Sequence, residues 1–411
     1  MKFGLLGRTL GHSFSPHIHS VLGNTNYELF EREPSQLQEF FDDPELQGIN
    51  ITFPYKVNAL EACDVIDPRA ERIGCVNTMV RKDGKWHGYN TDYDGFVFTL
   101  QHAGIDVAGK ECIILGDGAS SATVHVALED LGAKSITHLS RKTAPFYDDA
   151  PNYYETAQII INCTPIGMYP HNPANLIDIT QFSKLEGVVD LIYNPRRTIL
   201  LLQAEMMDVP HCDGLPFLVA QGVEAANHFQ GESFGTKEIE QILRDMRREK
   251  ENIILIGMPG VGKTTVGKAL GEEMGRTCVD VDQELEKEIG DISAYITEQG
   301  EPAFREKEAK MIAKLGTQTG LVISTGGGCV TVPKNYAHLR QNGRIYQLTQ
   351  PVENLSTSGR VLSGGGIERL RELEATRTPM YESFAQCIVE HNRNASETVA
   401  AILEDFEANL L

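Results

Sequence analysis

Along almost the whole 411-residue chain, short apolar runs alternate with longer amphipathic stretches. In the first half KFGLLG (2–7), GINITF (48–53), ECIILG (111–116), SITHLS (135–140), AQIIIN (157–162) and GVVDLIYN (187–194) read as strands. Between them lie helical patterns such as SATVHVALEDLGA (121–133), and this alternation predicts α/β architecture with parallel sheets covered by helices. TKEIEQILRDMRREKEN (236–252) is a charged amphipathic helix without glycine or proline, after which IILIG (253–257) starts a new buried strand. That shift in composition places a domain boundary near 248–251. No internal repeat or low-complexity tract interrupts the pattern.

Size and composition narrow the picture. A chain of this length is expected to divide into two or three domains, and 41% hydrophobic with 23% charged residues is enough for sizeable cores. The formal net charge of -20 opposes a phosphate backbone, so small molecules rather than nucleic acid are the expected partners. Eight scattered cysteines with no paired spacing read as reduced thiols of a cytoplasmic protein. Gly4, Gly7 and Arg8 interrupt the N-terminus before a signal-peptide core can build, and no segment approaches a membrane span. Oligomeric state is not read from the sequence.

GMPGVGKT (257–264) follows the strand at 253–257 and precedes the helical VGKALGEEM. It fits G-x-x-x-x-G-K-[ST], in which backbone N–H groups cradle phosphate, Lys263 neutralises the terminal phosphates and Thr264 ligates Mg²⁺. Gly257, Gly260, Val261, Gly262, Lys263, Thr264 and Thr265 are therefore the candidate ATP cradle. Downstream stand Asp280 and Asp282 in CVDVDQELE, Arg305 in PAFREKE, Gly326–Gly328 in ISTGGGCV and Arg377 in ATRTPMY. Aspartates at alternate positions can divide metal approach from proton acceptance, so Asp280 joins Thr264 as a metal candidate. Two arginines suit an acceptor bearing a carboxylate, and the glycines let backbone approach a compact substrate.

The order of P-loop, D-x-D, F-R-x-x-E, G-G-G, lid and late R-x-P-x-Y resembles shikimate kinase over 252–411. The resemblance implies that Asp282, Arg305, Gly327 and Arg377 bind shikimate, with Asp282 the candidate base. It also implies that Lys263 and a lid arginine stabilise the transferring phosphoryl group. In STSGRVLSGGG the matching arginine is Arg360, followed by Val361 where the family pattern has proline. A nucleotide-binding regulatory module without transfer activity is the competing reading of this half.

In the first half GHSFSPHIHS supplies Ser13 and Ser15, which read either as helix caps or as substrate hydroxyls. NITFPYK adds Thr52 and Lys56, GCVNT adds Asn77, GYNTDYDG adds Asp92, and LVAQGVEAANHF adds Gln221. Such hydroxyl, amide, ammonium and carboxylate groups suit a polyhydroxylated ring bearing a carboxylate, and a lysine beside an aspartate suits proton transfer between ketone and alcohol. This constellation resembles shikimate dehydrogenase over about residues 1–245. Lys56 and Asp92 are then catalytic, and Ser13, Ser15, Thr52, Asn77, Asp92 and Gln221 hold the substrate. The expected division is a substrate domain over 1–92, completed by helices near 214–245, then a Rossmann-like domain over 93–245 and a P-loop domain over 252–411.

ILGDGASSAT supplies Gly116, Gly118, Ala119 and Ser120 as the dinucleotide turn, with Ala119 where the family usually has a further glycine. LSRKT follows the next strand, so Arg141 with Lys142 can meet a 2′-phosphate, which favours NADP(H) over NAD. NCTPIGMYP, with Asn162 and Thr164, resembles the loop near the nicotinamide ribose. The segment 142–158 holds two prolines and predicts a trimmed α/β unit. The combined expectation is NADPH-dependent reduction of 3-dehydroshikimate followed by ATP- and Mg²⁺-dependent phosphorylation of shikimate. Quinate or another cyclic hydroxy acid with NAD is the rival for the first step.

Overall fold

The computed structural model describes residues 1–11, 13–170, 172–356, 366–392 and 394–411. Two compact units emerge, Met1–Leu243 and Arg244–Leu411, so the division falls inside the helix Thr236–Lys250.

The first unit contains two sheets. A six-stranded mixed sheet runs in the order Tyr27–Glu31, Lys2–Gly7, Leu46–Ile51, Thr78–Lys82, Lys85–Tyr89, Val65–Ile66. Its core includes Leu6, Ile49, Ile51, Met79 and Trp86. The strands Thr78–Lys82 and Lys85–Tyr89 form an antiparallel hairpin closed by Asp83 and Gly84, both at positive φ. An Asp-Gly pair supplies that backbone at low cost.

The five-stranded sheet is parallel throughout, in the order His211–Cys212, Gly187–Asp190, Ile159–Asn162, Glu111–Leu115, Ser135–Leu139. Its two faces bury separate apolar clusters, one with Ile113, Ile160 and Val188, the other with Ile114, Ile161 and Val189. This is the alternation that strands buried on both sides require. The proline-bearing segment after Ser135–Leu139 holds a 3₁₀ helix, Tyr147–Tyr153, in place of a full α/β unit. Beyond this sheet the helix Leu215–Gln230 returns to the first one, where Gly222 lies against Ile18 and Phe229 meets Phe3.

Gly214 precedes that returning helix, and a Cβ there would stand 2.0 Å from the carbonyl oxygen of Leu191. Backbone cannot retreat as a flexible side chain can. Gly214→Ala is expected to destabilise the first unit by about 2 kcal/mol. The chain's one tryptophan, Trp86, belongs to this unit, so an earlier urea midpoint by tryptophan fluorescence checks the expectation.

In the second unit five parallel strands take the order Cys278–Asp280, Val322–Ser324, Asn252–Gly257, Gly343–Thr349, Cys387–Glu390. The first strand in sequence lies in the middle, so connections leave it in opposite directions and open a crevice at its carboxyl end. There the turn Met258–Gly262 leads into the helix Lys263–Met274. The basic end of Thr236–Lys250 anchors at the C-terminal end of Ala395–Ala408: Arg244 donates to the carbonyl of Glu407 in its last turn, and Arg247 to that of Leu410 just beyond it. Cations are favoured at such a carbonyl-rich helix end.

Candidate active sites

In the first unit a cavity of about 410 Å³ is lined by Ser13, Ser15, Thr52, Lys56, Asn77, Asp92 and Gln221. Every substrate candidate of the first half therefore reaches one space. Lys56 Nζ lies 2.5 Å from Asp92 Oδ2; Asp92 is buried and Lys56 partly so. Burial by itself would pull the lysine pKa down, but the charge and hydrogen bond of Asp92 outweigh it, and Lys56 stands above its ordinary 10.5. Lys56 is thus an ammonium at neutral pH. Asn77 Nδ2 donates to Asp92 Oδ1 at 2.9 Å, and Thr91 N donates to Asn77 Oδ1 at 2.8 Å, so the carboxylate is fixed from behind.

The two serines separate in role. Ser13 Oγ accepts the Ser15 N–H at 3.2 Å and shapes the turn, whereas the helix Ser15–Val21 has no side-chain cap. Gln221 lines the cavity and donates one amide N–H to Leu218 O at 2.7 Å, which holds the side chain in place.

Among the other lining residues, which the sequence does not single out, are Asn50 and Tyr193. Asn50 stands two positions before Thr52, hence on the same side of an extended strand. Its amide oxygen accepts from Tyr27 Oη at 2.7 Å and lies 3.1 Å from His19 Nε2, while its Nδ2 donates to Thr78 Oγ1 at 2.9 Å. His19 is buried, and burial lowers its pKa to about 3, so this backing network carries no extra charge.

The glycine turn follows Glu111–Leu115, where the strand order of the second sheet reverses. Gly116 has φ +117, and a Cβ there would press on Ser121 and Thr164. Gly118 precedes the helix Ala119–Asp130 with open space around its Cα. Ala119, in place of a third glycine, packs with Ala122 against Ile73, Cys75 and Val126. Ser120 lines the cavity, and Arg141 and Lys142 are exposed beyond the next strand. Ser140 Oγ accepts the N–H groups of Lys142 and Thr143 and sets that bend.

Asn162 is buried and fully engaged: Nδ2 donates to Asp190 Oδ1 at 3.0 Å and Oδ1 accepts from Thr164 Oγ1 at 2.7 Å. Its task is to hold Thr164 against the glycine turn. Asp190, unremarked in the sequence, is the hub behind it, with a pKa raised to about 7 by burial.

In the second unit Lys263 Nζ donates to the carbonyls of Gly257 and Met258 at 2.8 and 3.0 Å, curling over the turn. Gly257, Gly260 and Gly262 all have positive φ. Val261 is buried beneath them, and Thr264 and Thr265 open the helix. Thr264 Oγ1 donates to Asp280 Oδ2 at 2.6 Å. A hydroxyl beside a carboxylate is an oxygen donor set of the kind Mg²⁺ takes together with water and phosphate, so these residues fit the ion.

The three consecutive glycines have individual explanations. Added Cβ atoms would meet Asp282 and Glu308 at Gly326, Pro259 at Gly327, and the Arg305 guanidinium at Gly328. Arg377 Nη1 donates to Gly327 O at 3.0 Å, and Tyr381 Oη donates to the same carbonyl. Arg305 is held by Glu301 and by Glu308, whose Oε2 is 2.8 Å from Nη1. Glu308 is fully buried; burial raises its pKa although Arg305 opposes the shift. Its motif position was visible in F-R-x-x-E, but no task was attached to it. Arg360, the lid candidate, lies outside the described residues.

Comparison with known proteins divides along the same line. A shikimate dehydrogenase substrate-binding-domain model matches residues 5–79, and a shikimate kinase model matches 259–407. A shikimate dehydrogenase (NADP(+)) of Clostridium perfringens is 34% identical over 265 residues, covering 60% of this chain and 98% of the relative. The crystal structure of a chorismate mutase/shikimate 5-dehydrogenase fusion protein from Clostridium acetobutylicum superposes with TM-score 0.56 at 33% identity, over 59% of this chain and 96% of that one. A Thermus thermophilus shikimate 5-dehydrogenase in complex with NADP(H) and shikimate gives TM-score 0.52 at 28% identity, over 59% and 97%.

Proposed function

We propose a two-step function from one premise: the chain belongs to the shikimate dehydrogenase family through its first unit and carries a shikimate kinase domain in its second. The first unit reduces 3-dehydroshikimate to shikimate, and the second phosphorylates shikimate to shikimate 3-phosphate. The product of one step is the substrate of the next. The observation that carries the reading is the Lys56–Asp92 pair inside a cavity ringed by hydroxyls and amides.

NADPH supplies the hydride when bound. Lys56 gives the proton that the carbonyl oxygen needs as it becomes a hydroxyl, and Asp92 keeps the lysine charged and aimed. Ser13, Ser15, Thr52, Asn77 and Gln221 orient the ring so that one carbonyl face meets the cofactor. Gly116, Gly118, Ala119 and Ser120 line the pyrophosphate turn, and exposed Arg141 and Lys142 suit the extra phosphate of NADP(H).

ATP with Mg²⁺ supplies the phosphoryl group in the second unit. Thr264 and Asp280 hold the ion, and Asp282 accepts the proton of the attacking hydroxyl. Arg305 and Arg377 pair the acceptor's carboxylate while the Gly327 backbone abuts it. The assigned domains are a substrate domain over 1–92 with helices near 214–245, a cofactor domain over 93–245 and a kinase domain over 252–411. Cytoplasmic location is supported by eight free cysteines, and small-molecule partners in place of nucleic acid by the charge of -20. No helix among the described residues is long and apolar enough to cross a membrane.

A paired steady-state assay on the full chain tests the reading. NADPH oxidation is expected to depend on 3-dehydroshikimate, and ADP formation on shikimate. ATP binding without shikimate-dependent ADP would make the second unit a nucleotide-sensing module, and quinate turnover with NAD exceeding that of 3-dehydroshikimate with NADPH would change the first substrate.

A further inference from the structure

Behind the dinucleotide turn runs a line of side chains that no step above uses. His138, on the edge strand Ser135–Leu139, has Nδ1 3.2 Å from the Gly116 carbonyl oxygen. Its Nε2 lies 2.9 Å from His125 Nδ1, and His125 Nε2 lies 3.3 Å from Glu129 Oε1. Glu129 is in turn fixed by Arg72, whose Nη2 is 2.9 Å from Oε2.

The carbonyl end decides the proton on His138. A carbonyl oxygen only accepts, so Nδ1 must carry the hydrogen. Burial lowers the His138 pKa, which leaves the ring neutral with Nε2 unprotonated and facing His125 Nδ1.

Gly116 needs such an outside hold. At φ +117 it sits in a region where glycine is permissive, and its own sterics do not fix the plane of the next peptide. Its N–H is already bonded to Leu139 O at 2.9 Å. Because the Gly116–Asp117 peptide is planar and trans, turning its carbonyl toward His138 turns the Asp117 N–H the opposite way.

We propose that His138 is a positioning residue of the dinucleotide site: it clasps the Gly116 carbonyl and thereby aims the Asp117 N–H at the cofactor pyrophosphate. The proposal rests on the dehydrogenase reading. NADPH fluorescence titration of the full chain, without second substrate, tests it in three forms: wild type, His138→Phe and His138→Asn. Phenylalanine fills the space without a donor, and NADPH is expected to bind roughly fivefold more weakly, the equivalent of about 1 kcal/mol. Asparagine returns an N–H near the place of Nδ1 and is expected to restore Kd to within about twofold, a recovery that lost packing would not show.

Unchanged affinity in His138→Phe overturns the proposal, as does equal weakening in both variants. Failure of the wild type to bind NADPH would instead remove the dehydrogenase reading, so the two failures are distinguishable. Melting temperatures of the cofactor-free forms are expected to agree closely, because the exchanged side chain is half-buried on an edge strand.

Discussion

Lys56→Ala is expected to lower the reduction of 3-dehydroshikimate by about a thousandfold, within the range that one positioned proton donor contributes, and to leave shikimate-dependent ADP formation within about twofold. Two effects act together. The proton donor is lost, and Asp92 is left as a buried carboxylate whose 2.5 Å partner has gone, so part of the loss belongs to the disturbed anion. Asp92→Asn separates them, since it keeps the shape and the Asn77 contact while removing the charge that holds Lys56 protonated. Its rate is expected to fall less than that of Lys56→Ala. The pH profile gives a further check with a definite sign. A lysine raised above 10.5 is protonated below that value and loses its proton as pH rises through it. Reduction should therefore hold level through neutral pH on this group's account and fall only on the alkaline side; a limb near neutrality would assign the proton to another group.

The second large effect is expected at Lys263. Lys263→Ala should reduce shikimate-dependent ADP formation by about a thousandfold or more, since a cation on the transferring phosphoryl group acts mainly in the transition state. NADPH oxidation should stay within about twofold, because the Lys56 cavity is built wholly from residues of the other unit. The lysine also donates to Gly257 O and Met258 O, so removing it loosens the turn as well as removing charge. Single-turnover measurement separates these contributions: weaker ATP binding reports the turn, and slower transfer at saturating ATP reports the charge. Undiminished ADP formation would remove Lys263 from the mechanism.

Much of this arrangement was legible in the amino-acid order. Both cradles announce themselves through glycines placed between a buried strand and a helix, a spacing that local backbone geometry imposes. The long helix at 236–250 was visible in its charge pattern, whereas the compact units divide within it, because Arg244 and Arg247 find their partners at the end of the distant C-terminal helix. The hairpin at 78–89 was passed over although its Asp83–Gly84 turn is a strong local signal. Its strands mix polar and apolar residues, TMVRK and KWHGY, and so lack the continuous apolar run of the parallel strands. Ala119 looked like a lost glycine, yet its methyl group fills space against Ile73 and Cys75.

By itself the sequence determined which chemical groups the protein owns and which short segments have the pattern of a phosphate cradle, since a glycine turn, a P-loop lysine and a D-x-D run are patterns a few residues long. Only the tertiary structure decided what those groups face. It placed Lys56 against Asp92 across 36 positions, set Asn50 between His19 and Thr78, and assigned each of Gly326, Gly327 and Gly328 a different neighbour. It also put His138 behind Gly116, 22 positions away. These are packing relations between separate strands and helices. They follow from how buried faces close on one another, a long-range property that local residue order does not encode.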